Sequence, residues 1–177
     1  MAGVDLLGWS YRDVGPPDLR ALVRPEAEGR SILSASDFAD WASSLAAGES
    51  AEPFTFVIDS AGVLRLAPRR SEHVACAGGG PVLGAGEMSF REESRQWVVA
   101  EVSNQSTGFR PDISSWPAVA KALDSAGIQH PPGFTHEVVF RRCAACGGPD
   151  IMREEDFICV FCDEELPREW NVDGSER

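Results

Sequence analysis

The fold is decided by one stretch, Val82-Leu83-Gly84-Ala85-Gly86-Glu87-Met88-Ser89-Phe90, then Arg91-Glu92-Glu93-Ser94-Arg95, then Gln96-Trp97-Val98-Val99-Ala100-Glu101-Val102. Two apolar-rich runs of strand length flank a short polar segment, which is the pattern of an antiparallel pair. The small residues in the first run, Gly84, Ala85 and Gly86, predict a place where another backbone comes close. Upstream, Phe54-Thr55-Phe56-Val57-Ile58 and Val63-Leu64-Arg65-Leu66 flank the turn residues Ser60-Ala61-Gly62, so a second hairpin precedes the first.

Helical periodicity appears on both sides of these strands. Phe38, Trp41, Ala42 and Leu45 recur at i, i+3, i+4 and i+7, with Ser36 as the expected cap and Gly48 as the expected stop. Ser115-Trp116-Pro117 opens a second helix through Ala126, ended by Gly127. Residues 1 to about 33 hold turn signals, Gly15-Pro16-Pro17 and Arg24-Pro25, around short apolar runs such as Val4 to Trp9, and predict little regular structure. His130-Pro131-Pro132-Gly133 reads as a linker. Thr135 to Arg142 reads as a strand that runs into Cys143 and ties the C-terminal residues to the main sheet. The expected class is α+β, mainly antiparallel with two or more helices, over residues 1–134 with a core at 54–127. A C-terminal module with an acidic tail takes up residues 135–177.

That module is defined by its cysteines. Cys143, Cys146, Cys159 and Cys162 form two C-x-x-C pairs, while Cys76 stands alone. A C-x-x-C turn aims two thiolates at one point, and two such turns on a short spacer resemble a zinc ribbon with a closed Cys₄ shell. Gly147 and Gly148 supply the backbone freedom that the first turn needs. Asp150-Ile151-Met152 and Asp156-Phe157-Ile158 are expected to pair across Arg153-Glu154-Glu155. A redox C-x-x-C would start a helix, and Gly147-Gly148-Pro149 does not. A catalytic zinc keeps an open position, whereas four thiolates close the shell. An iron–sulfur cluster is the other centre that takes four thiolates. The reading is a structural Zn²⁺, with Cys76 a buried free thiol.

Charge limits what the module can touch. The chain has 177 residues, 16 Lys+Arg against 28 Asp+Glu, and a formal net charge of -12. The 43% hydrophobic content supports a packed core rather than disorder. From Gly147 onward the bases Arg153, Arg168 and Arg177 face Asp150, Glu154, Glu155, Asp156, Asp163, Glu164, Glu165, Glu169, Asp173 and Glu176. A tetrathiolate zinc adds about two further negative charges. Such a surface repels phosphate, so nucleic acid is disfavoured as a partner class and protein contact or bracing is expected. No segment is long and apolar enough for a membrane helix. Met1 to Leu6 shows no basic n-region, so the expected location is cytoplasmic.

The segments His73–Glu87 and Glu101–Pro111 form the second candidate site. His73, Glu87, Asn104 and Ser106, with Arg110, could converge on a small-molecule ligand near 73–87 and 104–110. A His–Glu pair could move a proton, and Ser106 could act as a nucleophile. The triple glycine Gly78-Gly79-Gly80 could bind an anion, although no Walker lysine comes after it. The rival reading is structural: glycines solve turn geometry, and Ser, Asn and Thr at strand ends bond to backbone.

Through His73, Gly78, Gly79, Ala85, Gly86, Ser106, Gly108 and Pro111, the stretch Phe54 to Gly127 resembles the domain of plant IQ-motif calmodulin-binding proteins. Thr107 is inserted between the Ser and Gly of that pattern, Phe109-Arg110 replaces its His-Tyr, and no IQ segment is present. The resemblance implies a shared fold core, not calmodulin binding, and brings no catalytic activity. The chain also looks like uncharacterised bacterial relatives. Its positive charge rests on arginine, with Lys121 the only lysine, which fits a GC-rich genome. The function expected from the sequence is that of a binding or adaptor protein braced by a structural zinc ribbon. The alternative is a small group-transfer or hydrolytic enzyme using His73, Glu87, Asn104 and Ser106.

Overall fold

The computed structural model describes residues 9–172. The N-terminal run from Val4 lies mostly outside them, as does the acidic tail from Asp173. The fold is α+β. Five antiparallel strands, β1 (Arg30–Ile32), β2 (Phe54–Asp59), β3 (Leu64–Ala67), β4 (Val82–Glu93) and β5 (Gln96–Val102), form one sheet in the order β1-β3-β2-β4-β5. Two hairpins supply four of these strands. In the first, Asp59 accepts hydrogen bonds from the N–H groups of Ala61 and Val63, and Gly62 takes φ 81°. In the second, β5 spans the expected residues, whereas β4 runs past the expected Phe90 to Glu93. Only Ser94 and Arg95 form the turn, at φ 47° and 65°. This is the left-handed pair that a two-residue hairpin requires, built here without glycine or asparagine.

Strand alternation sends side chains to two cores. Phe54, Phe56, Ile58, Leu64 and Leu66 face α1 (Ala35–Ser44) and α3 (Trp116–Ser125). Phe38 of α1 stacks on Phe90 at 4.1 Å between ring centroids. Ser34, not Ser36, caps α1: its hydroxyl accepts from the Asp37 N–H, and the Asp37 carboxylate in turn accepts from the Leu33 N–H. This reciprocity places the cap two residues before the one expected from sequence. The helix also ends earlier, with Leu45 already extended, and Gly48 instead opens a short 3₁₀ turn. The α3 boundaries match expectation, with Pro117 in the first turn and Gly127 at φ 69° just past the end.

The opposite face of the sheet carries Val57, Ala67, Val82 and Ala85. It is covered by Tyr11, Phe109 and the short helix α2 (His73–Cys76), and by Phe140, Trp170 and Val172 from the C-terminal module. Trp170 packs edge-on against Tyr11 at 5.2 Å, and its indole N–H donates to the Arg110 carbonyl. The module thus shares a core with the sheet.

Its attachment differs from the expected continuous strand. Only Val139–Arg142 (β6) is regular, and it pairs with Pro149–Met152 (β7), not with the five-stranded sheet. The link to the sheet is made by side chains and by a short backbone contact at the Ser103–His136 bridge, where the Thr135 and His136 N–H groups donate to the Val102 carbonyl. Thr135 Oγ1 accepts from the Val102 N–H and donates to the Val102 carbonyl. Buried Asn104 accepts from the Val138 N–H and donates to the Val138 and Pro111 carbonyls. Among the described residues no helix is long and apolar enough to cross a membrane.

Candidate metal centre

The two C-x-x-C pairs build two knuckles of matching backbone. In the first, the Cys143 carbonyl accepts from the Gly147 N–H, the Cys143 N–H donates to the Gly148 carbonyl, and Gly147 takes φ 71°. In the second, the Cys159 carbonyl accepts from the Asp163 N–H, the Cys159 N–H donates to the Glu164 carbonyl, and Asp163 takes φ 60°. Asp163 therefore occupies the left-handed place that Gly147 holds in the first knuckle. Asp is among the few residues that tolerate it, so no glycine marks the second knuckle in the sequence. Backbone N–H groups also reach the sulfurs, Gly148 to Cys146 Sγ and Phe161 to Cys159 Sγ, both at 3.4 Å.

The four sulfurs lie within 4.8 Å of one another. The Cys143–Cys162 and Cys146–Cys159 separations are 3.6 and 3.7 Å. Both are far beyond a disulfide bond of about 2.05 Å. They fit a tetrahedron around an ion with metal–sulfur bonds of about 2.3 Å, whose sulfur–sulfur edges are about 3.8 Å. Cys143 and Cys159 are buried, and Cys146 and Cys162 are exposed. The backbone N–H of Cys146 lowers the Cys143 thiol to about 7, whereas burial raises Cys159. At Cys162 the lowering by the Glu164 N–H is outweighed by burial and the neighbouring sulfurs, which push it up to about 12. One thiolate forms readily, and further thiolates beside it need the positive charge of a metal. The arrangement is that of a four-cysteine metal centre.

The rest of the module fixes the second knuckle. Asp150 of β7, itself buried, accepts from the Val160 N–H at 2.8 Å. Arg141 donates to the Pro167 and Arg168 carbonyls, and Arg142 donates to the Val172 and Gly147 carbonyls. A planar guanidinium with five donors can tie several carbonyls at once. Asn171 closes the clasp on the backbone of Arg142 in both directions. Leu166 and Phe157 pack on Cys143 and Cys159, and the Arg168 guanidinium lies 4.1 Å over the Phe157 ring. The expected pairing of residues 150–152 with 156–158 reduces to an Arg153–Asp156 bridge, because β7 takes β6 as its partner.

The second candidate set from the sequence is spread along the chain's own backbone. His73 Nε2 sits 2.9 Å from the Gly86 carbonyl. A carbonyl only accepts, so this contact fixes the Nε2–H tautomer. Burial lowers the His73 pKa, more than the contact and the nearby Glu87 and Glu72 raise it. Asn104 uses its amide on the link described above. Ser106 is buried, its hydroxyl accepting from the Phe109 N–H and its carbonyl from the Arg110 N–H. Glu87 is exposed, in a cleft of about 240 Å³ that it shares with Ser103, Gln105 and His136. Arg110 takes φ 48° and donates through Nε to the Thr107 carbonyl. The N–H groups of Gly78, Gly79 and Gly80 donate to the carbonyls of Ala75, Val74 and Ala77, which terminates α2 instead of cradling an anion.

Gly86 is where the predicted close approach occurs. A methyl group placed on it would overlap the Ser103 carbonyl oxygen and lie 2.8 Å from the carbon of that carbonyl. Cys76 is fully buried, and desolvation pushes its thiol up to about 12, which leaves it unreactive at neutral pH. One feature at the metal centre has no strong signal in the sequence: Val160 and Phe161, at the tip of the second knuckle, are 65% and 67% exposed. Comparison with known proteins returned no matching family model, curated protein or solved structure, so it lends no support to the resemblance to the plant domain.

Proposed function

We propose that this chain is a non-catalytic, cytoplasmic binding or adaptor protein, with a zinc ribbon that presents its second knuckle to a partner protein. The supporting observation is the exposed apolar tip. Val160 and Phe161 are exposed in a knuckle flanked by Cys159 and Cys162, and Ile158 and Ile151 in the same module are each 42% exposed. Large apolar side chains exposed together on a rigid element favour contact with another macromolecule. Asp163, Glu164 and Glu165, next along the chain from this tip, are exposed, as are Glu154, Glu155 and Asp156 in the turn after β7. The partner that complements it is a protein pocket of apolar floor and Lys/Arg rim, since a phosphate backbone would be repelled.

Zinc is the metal of choice for four thiolates in a closed shell, and four protein ligands leave no position for a substrate, which makes the role structural. Binding contributes on the order of 10 kcal/mol in zinc-finger peptides, enough to hold a small module that buries little apolar surface. The enzyme alternative is less well supported, because His73, Asn104 and Ser106 bond to backbone groups.

The test is affinity capture from the native host with three baits: wild type, Val160→Ser/Phe161→Ser, and Glu164→Lys/Glu165→Lys. The expected result is a protein retained by wild type, lost with the first variant and weakened with the second. A retained set identical for all three baits, or one dominated by nucleic acid, would overturn the reading.

A further inference from the structure

A groove of about 940 Å³ opens at the β1 edge of the sheet, and no candidate residue from the sequence belongs to it. It exists because β1 pairs with β3 over only Arg30–Ile32. The next residue towards the N-terminus, Gly29, donates its N–H to the Cys76 carbonyl of α2, so Pro25–Gly29 peels away from the sheet. Ala67 to Ser71 continues on the other side, leaving an open trough between the two segments. Its volume lies in the range of sites for drug-sized molecules, about 300–1,000 Å³.

The lining is amphipathic. The groove wraps the sheet edge: buried Leu66 and half-buried Trp41 line it on one face, buried Ala67 and Ala75 on the other, and exposed Leu22 adds further apolar surface. The charges at the rim are unevenly engaged. Arg65 is held by Asp59 at 2.9 Å and by Glu28 at 3.3 Å. The side chains of Arg24, Arg30 and Arg70 are exposed and make no hydrogen bond or ion pair among the described residues. Glu26 and Glu72 are the remaining lining acids, so the unengaged charge there is positive on a chain of net charge -12. Free guanidinium groups beside an aromatic wall suit a carboxylate or sulfonate on a flat apolar body: the fork bonds the anion in a bidentate manner, and the ring system covers the apolar lining.

We propose that this groove binds a small aromatic organic anion. The site is separate from the knuckle tip and does not depend on the partner-binding reading.

The experiment is a titration of the ¹⁵N-labelled, metal-loaded full chain, followed by amide chemical shifts, with naphthalene-2-carboxylate and its neutral counterpart 2-naphthamide. The expected result is saturable shifts at Ser31, Ala67 and Ser71 and at the Trp41 indole, with Kd below about 1 mM. The neutral probe should bind at least about tenfold more weakly. Arg30→Glu/Arg70→Glu changes only exposed side chains and should weaken the carboxylate by at least about tenfold with the remaining spectrum unchanged. Equal affinity for the two probes, shifts centred on Val160 and Phe161, or no response at about 1 mM would overturn the proposal. The wild-type comparison of charged and neutral probes decides the matter even if the double variant misfolds.

Discussion

Replacing Gly86 with alanine should be among the most damaging single-methyl changes in this protein. The added carbon overlaps the Ser103 carbonyl oxygen, lies 2.8 Å from the carbonyl carbon and lies 3.1 Å from Asn104 Cα. All three atoms are backbone, so no side-chain rotation relieves the overlap. The crossing segment must move by about an ångström or more to restore ordinary van der Waals contact. That displacement loads the Ser103 N–H to Glu87 carbonyl bond, the His73 contact on the Gly86 carbonyl, the two Asn104 bonds to Val138 that anchor the metal module, and the Asn104 bond to the Pro111 carbonyl. Overpacking a well-filled site costs about 1–3 kcal/mol by itself. Loss of even one buried polar partner adds about 1–3 kcal/mol. The expected destabilisation is about 3 kcal/mol or more, a fall of about 6–12 °C in Tm for a chain of this size.

Gly84 is the internal control. A methyl group there would lie 3.0 Å from Val119 Cγ2, a side-chain methyl that can give by a few tenths of an ångström, and should cost about 1 kcal/mol. Urea denaturation and scanning calorimetry on wild type, Gly84→Ala and Gly86→Ala measure both effects. A Gly86→Ala variant within about 1 kcal/mol of wild type would refute the close crossing, and with it the account of how the module is tied to the sheet.

Two turns and one histidine give further outcomes. Ser94→Asn with Arg95→Gly, and Glu154→Asn with Glu155→Gly, place left-handed-tolerant residues where the backbone already has φ between 47° and 65°; each pair should raise the urea midpoint, by about 1 kcal/mol in stability. His73 should make the fold acid-sensitive. Its folded pKa lies below the unfolded value near 6.5, so the unfolded chain binds the extra proton first; stability is fully present above about pH 6.5 and declines as pH falls towards the folded value. His73→Gln should flatten that part of the stability–pH curve, and an unchanged slope would exclude His73 as its source.

Much of the fold is legible in the sequence because it obeys local periodicity. Phe54 to Ile58, the second hairpin and the faces of α1 and α3 all come from the spacing of apolar residues. The cysteine cluster comes from two short motifs whose knuckle geometry is encoded locally. The four-residue helix α2 carries no period to detect, and its glycines terminate it. The pairing of β7 with β6 is hidden because the charged turn at Glu154-Glu155 implies a longer hairpin than the one that forms. His73, Asn104 and Ser106 stand out as polar groups in a sparse setting. Their bonds go to backbone groups, several of them distant in sequence, which no local pattern reveals. The β1-edge groove is not legible at all. It joins charges from residues 24–30 and 65–72, which no motif links.

The proposed function rests on one structural zinc ion held by Cys143, Cys146, Cys159 and Cys162. X-ray absorption at the zinc edge, combined with elemental analysis of the purified chain, tests it directly. The expected result is one zinc per chain with four sulfur neighbours at about 2.3 Å, and loss of both the metal and the folded module in Cys143→Ser. Substoichiometric metal in a fully stable protein, or a shell containing nitrogen or oxygen in place of sulfur, would contradict it.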